Sequence, residues 1–156
     1  MNKIDLTTQV IEPFERINRL YQELEQTTDT YGTDELLHPS EIHTVEEIGH
    51  HPKTSLTDLA EYLRITKGSA TKMVQRLVKK ALVTKTFAPD SENKIQIILT
   101  SKGEIAYKNH RQYLQHLENQ LISIYEPLSD QELEGIIRIS QPTEDLLKRL
   151  IQERSR

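Results

Sequence analysis

The chain has 156 residues, a formal net charge of −4 and no cysteine, and only 5% of its residues are aromatic. Such a length can bury one ordinary core, which must here be built from Leu, Ile and Val, and disulfide frameworks and thiolate metal sites are excluded. No apolar run reaches the roughly 18 residues that cross a bilayer, and the opening MNKIDLTTQV lacks the apolar segment of a secretion signal, so the expectation is a cytoplasmic protein with no membrane partner.

The first element spans about residues 5–27, where Leu6, Val10, Phe14, Ile17, Leu20, Tyr21 and Leu24 recur in steps of three and four. That spacing predicts an amphipathic helix, which Pro13 should kink or restart. TTDTYGTDELL is polar, carries a Gly and reads as a connector. HPSEIHTVEEIGHHP places Pro39 at a first helical position and closes at Gly49, with Pro52 beyond. Ser55 with Asp58 three residues later starts a short helix whose buried face is Leu59, Ala60 and Leu63.

Thr66 caps the next helix. Its apolar stripe is Ala70, Met73, Val74, Leu77 and Val78, and Lys67, Ser69, Thr71, Lys72, Gln75, Arg76 and Lys79 lie away from it. Two short helices joined by the few residues around Arg64 and Ile65 make a helix-turn-helix. VTKTFA and KIQIILT flank the turn-rich PDSEN and predict a β-hairpin, with Ile95, Ile97 and Leu99 facing one side.

Helical spacing returns at Ser101 and stops near Pro127. Ser129 with Glu132 is a capping box that opens a last helix, which Pro142 should break or kink and which Leu146, Leu147, Leu150 and Ile151 carry to the end. The fold class is therefore mainly α with a small β-hairpin wing. The two end segments are amphipathic and far apart in the chain. They have no core of their own in so small a winged helix, which points to packing against a second copy.

Charge is unevenly placed. Residues 66–102 hold Lys67, Lys72, Arg76, Lys79, Lys80, Lys85, Lys94 and Lys102 against only Asp90 and Glu92. A phosphate backbone responds to local charge rather than to the net value, so double-stranded DNA is the expected partner.

The order of elements, the run SLTDLAEYLRITKGSATKMVQRLVKKALV and the LTSKG at 99–103 resemble the MarR family of bacterial transcription regulators. The resemblance implies a single domain over residues 1–156, with a DNA-binding winged-helix lobe over about 37–100 and dimerisation helices over about 5–27 and 101–152. It further implies a homodimer that binds a palindromic operator, as a repressor under ligand control. By the same resemblance the recognition helix begins at Thr66, and Lys67, Ser69, Thr71 and Lys72 enter the major groove with Gln75 and Arg76 one turn on. Gly68 either permits close approach of the backbone or is an ordinary helix-start glycine. Lys85 and the tip residues Asn93 and Lys94 are the wing contacts. The family usually shows Asp-x-Arg at that tip; Glu92, Asn93 and Lys94 stand here instead, and Lys lacks the planar fork of Arg.

His43, in SEIHTVEEIG, and His110, in AYKNHRQYL, fall where family members bind effectors. Zinc-responsive members carry a further His four residues after the second, where this chain has Leu114; fatty-acid-synthesis repressors carry a similar pair and respond to acyl chains. Three readings of the pair stay open: a structural contact, a small-molecule or acyl effector, or a metal held by His43 and His110 with a carboxylate such as Glu41, Glu47 or Glu25. His50 and His51 read as an exposed helix end. No glycine-rich phosphate loop or nucleophile elbow is present, so an enzyme is not expected. A winged-helix protein-interaction or architectural DNA-binding module, without effector control, is the alternative function.

Overall fold

A computed structural model describes residues 3–89 and 91–155 of the chain, with the side chains of residues 91–94 outside that description. Among the described residues the order is α1 (Lys3–Glu25), α2 (Pro39–His50), α3 (Leu56–Tyr62), α4 (Lys67–Lys79), β1 (Val83–Ala88), β2 (Ser91–Leu99), α5 (Ser101–Tyr125) and α6 (Asp130–Arg154). The mainly helical fold with a two-stranded antiparallel wing is the one expected from the sequence.

The expected start signals are used. Ser55 Oγ accepts the N–H of Asp58, and Thr66 Oγ1 accepts that of Ser69. Ser129 and Glu132 exchange both bonds of a capping box. Each satisfies a backbone donor that a helix start otherwise leaves unpaired.

Three details differ from expectation. Of the alternatives expected at Pro13 and Pro142, restarting or breaking the helix does not occur, since α1 and α6 continue through them. One proline removes a single donor, and in helices this long the turns on both sides keep theirs. Strand β2 already begins at Ser91, so the turn is shorter than PDSEN, and the register is irregular between Phe87 and Ala88. Val78, expected on the apolar stripe of α4, is exposed, because it lies about 100° round the helix from the fully buried Leu77, at the edge of the buried face.

The core draws Leu37, Ile42, Val45 and Ile48 from in and around α2, Leu59 from α3, and Met73, Val74 and Leu77 from α4. Leu82, Val83 and Ile97 close it at the wing base, and Ala106 closes it from α5. The stretch before α3 joins the sheet edge, where Thr54 O accepts the N–H of Ile97. By contrast α1 and α6 bury none of their described residues. The chain falls into two compact units, residues 1–112 and 113–156.

Gly103, within LTSKG, has a concrete steric task. A Cβ there would lie 2.0 Å from the carbonyl oxygen of Leu82, a backbone atom that already accepts the N–H of Thr100. The first turn of α5 therefore rests on the end of the segment that leads into β1, and only glycine allows that approach. Gly103→Ala should lower unfolding free energy by about 1–3 kcal/mol, the usual cost of overpacking, read as a lower urea midpoint at an unchanged m-value.

Candidate nucleic-acid interface

α4 has two dissimilar sides. Ala70, Met73, Val74 and Leu77 are buried, while Lys67, Gly68, Ser69, Lys72, Gln75 and Arg76 are exposed and Thr71 is half buried. The apolar residues recur at the three- and four-residue spacing of one helix face, so anchoring that face presents the polar one. At the N-terminal end Thr66 Oγ1 also pairs with Ser69 Oγ at 2.9 Å, and Thr71 Oγ1 donates to Lys67 O. Arg76 Nη2 lies 3.6 Å from Met73 Sδ, its fork left largely to solvent.

At Gly68 a Cβ would meet nothing nearer than Thr66 Oγ1 at 3.9 Å. The fold itself has no need of glycine there. Lys85 is exposed on β1 opposite Ile97. The side chains of Asn93 and Lys94 lie outside the described residues.

The histidine pair is brought together, with ring centroids 6.0 Å apart. His43 is half exposed and its Nε2 lies 3.7 Å from Glu25 Oε2 at the end of α1. His110 is 4% exposed, and the Tyr31 ring stands edge-on to it at 5.3 Å. Its Nδ1 is 3.3 Å from Glu46 Oε2, yet at an angle outside hydrogen-bond geometry, so this buried nitrogen has no hydrogen-bond partner among the described residues. Burial pushes the His110 imidazole below its ordinary range, and His43 pushes the same way. Glu46 and Glu25 oppose that shift without reversing it.

Glu41 is not part of this group. Its Oε2 accepts from Lys80 Nζ at 2.8 Å and from the N–H of His38 at 2.9 Å. Burial raises the Glu41 carboxyl, but the bonds from Lys80 and His38 outweigh it and hold the group below its usual value. Glu47 is likewise engaged elsewhere, 3.7 Å from His51. Glu46 was the carboxylate that sequence reasoning missed. Helical spacing carried the signal, since position 46 is one turn on from His43 and shares its face, whereas position 41 does not. Tyr31 could not be found that way, because it comes from the connector.

Among the described residues no three His, Asp or Glu side chains are gathered as a metal would require. The four ligands in tetrahedral array that are usual for zinc are thus not assembled among the described residues. At the end of α2, His50 and His51 are exposed but engaged. Arg111 Nη1 lies 2.7 Å from His50 Nε2, and His51 stacks on Tyr62 at 4.0 Å.

Residues 37–92 match the model of the MarR family. The HTH-type transcriptional regulator YhjH of Bacillus subtilis is 23% identical over 114 residues, covering 73% of this chain and 65% of that protein, a little under two thirds of its length. Lactococcus lactis ZitR, a zinc-responsive MarR family member, shares the fold at a TM-score of 0.72 and 18% identity, over 90% of this chain and 99% of its own. Streptococcus pneumoniae FabT, solved in complex with DNA, does so at a TM-score of 0.68 and 20% identity, over the same shares.

The buried imidazole makes stability depend on pH. Its folded value lies below the unfolded one of about 6.5, so the unfolded chain binds the extra proton. The contribution is fully present above that value and is lost as pH falls below it, towards the folded value. Thermal melts from pH 7.5 to 5 should show this decline, and His110→Phe should flatten it.

Proposed function

Because the chain belongs to the MarR family of DNA-binding transcription regulators, we propose that it acts as a homodimeric repressor on a palindromic operator, with affinity set by a small effector. The family does not consist of enzymes, and no catalysis is assigned. The observation that carries the reading is α4, whose buried inner face leaves Lys67, Ser69, Lys72, Gln75 and Arg76 free to meet a partner. Gln75 and Arg76 suit base edges, which they can contact through paired hydrogen bonds. Lys67, Lys72, Thr66, Ser69 and Thr71 suit phosphates, which set register. Gly68 leaves room for a close sugar-phosphate backbone. Lys85, Asn93 and Lys94 complete the interface from the wing.

The homodimer reading is supported by large apolar side chains that the single chain leaves in solvent. In α1, Val10, Phe14 and Ile17 are more than half exposed, and so are Ile137 and Ile151 in α6. A two-fold dimer built on such helices would set two copies of α4 on half-sites about one helical turn apart. In this reading the lobe over residues 37–100 carries recognition, and the helices over 5–27 and 101–152 carry association.

Effector control is read at His43 and His110. A buried ring nitrogen without a hydrogen-bond partner among the described residues, beside a half-exposed imidazole, favours a ligand that brings a polar group on an organic body, either a small molecule or an acyl chain. The donor set speaks against a metal. A ligand that prefers one spacing of the two α4 helices would shift the population toward it and change operator affinity.

Selection of genomic fragments on the purified protein, followed by titration at several salt concentrations, tests the reading. A palindrome should emerge, and its binding constant should fall steeply with salt. Arg76→Ala should cost about 1–3 kcal/mol of operator affinity and relax preference at one position, whereas Lys72→Ala should weaken all sequences alike and lower the salt slope by about one. A shallow, sequence-blind response would favour the protein-binding or architectural alternative. Light scattering should give twice the chain mass, and a Phe14→Glu, Ile137→Glu variant should give less.

A further inference from the structure

α4 ends at Lys79, and the next residue, its C-cap Lys80, turns back into the fold. The Lys80 ammonium donates to the carbonyl of Leu36 at 2.7 Å and to Oε2 of Glu41 at 2.8 Å. Glu41 is 2% exposed, sits in the first turn of α2, and spends the same oxygen on the N–H of His38. The end of the helix that faces DNA is thus tied to α2 and to the connector before it.

The same connector is tied to α5. Lys102 pairs with Asp34 and Glu35, and Asn109 Nδ2 donates to Tyr31 O at 2.8 Å. Gly32 lies so close to Asn109 that a Cβ there would overlap the amide. Residues 29–37 therefore form one abutment against which both the end of α4 and the start of α5 are held.

A buried carboxylate paired with a lysine is a poor way to gain stability, because an apolar pair of similar volume often does as well or better. What it adds is direction. Two charge-assisted hydrogen bonds fix the ammonium at one point. The apolar contacts of Ala70, Met73, Val74 and Leu77 hold α4 against the core but do not by themselves fix its rotation and tilt. We propose that Lys80 is a positioning residue for DNA recognition: its clasp on Glu41 and the Leu36 carbonyl sets the angle at which α4 meets the bases, while Lys80 itself stays off the DNA. This rests on the reading of α4 as the helix that faces DNA.

The double variant Lys80→Met, Glu41→Gln tests it, since it leaves no lone buried charge and Gln still accepts from His38. Its thermal midpoint should stay within a few degrees of wild type. Affinity for the selected operator should fall about tenfold or more, toward the non-specific level, with affinity for random-sequence DNA and the salt slope unchanged. Glu41→Gln alone should give a smaller loss in the same direction and serves if the double variant does not fold. Operator affinity equal to wild type in a folded variant overturns the clasp. A loss on both kinds of DNA with a salt slope lower by about one also overturns it, because Lys80 would then be a phosphate contact. A wild-type protein without sequence preference overturns the DNA reading and the clasp together, and the wild-type titration alone reveals that case.

Discussion

The structure depends on one constraint: the inner face of α4 must stay in the core so that its outer face can stay out of it. Met73, Val74 and Leu77 share one buried cluster with Leu59 of α3, the α2 residues Ile42, Val45 and Ile48, and the wing base at Leu82, Val83 and Ile97. Burying these side chains stabilises the lobe by the ordinary apolar transfer effect. The same burial keeps the Lys, Gln and Arg side chains on the outer face of α4. The side chains proposed to face DNA sit on α4 and on the two wing strands, all of which contribute residues to this core.

The polar contacts do a different job from the apolar ones. Lys80 with the Leu36 carbonyl, Lys102 with Asp34 and Glu35, and Asn109 with the Tyr31 carbonyl all converge on residues 29–37. In composition this stretch is a connector, yet it buries Leu37 completely and holds Tyr31 and Gly32 at positive φ, 46° and 76°. Tyr31 also stands against His110, so the connector adjoins both the histidine pair and the end of α4. A ligand that moved Tyr31 would act on an element already bonded to Lys80.

The ends of the chain follow another logic. α1 and α6 are amphipathic in sequence, but a single chain gives their apolar faces no core, and neither buries a described residue. Apolar faces left exposed in this way are typical of interaction surfaces, and the homodimer proposed above would cover them. Pro13 and Pro142 do not interrupt these helices, so each apolar face runs on through its proline.

What could be read from the amino-acid order alone was whatever is written in short spacings. Helix caps at Ser55, Thr66 and Ser129, the stripe on α4, the alternation of Ile95, Ile97 and Leu99, and the polar outer face of α4 all lie within a few residues of one another. Those spacings were enough for the element order and for the candidate DNA-facing side chains. Only the tertiary structure decided which carboxylate meets which base. Glu41 went to Lys80, 39 residues away, and Glu46 rather than Glu41 came to face His110. It also explained why position 103 must be glycine, through a carbonyl 21 positions earlier in the chain. Periodicity shows which side of an element faces inward, but not what lies opposite it. Partners so distant in sequence are chosen by how the elements pack, and that is settled only when the whole core closes.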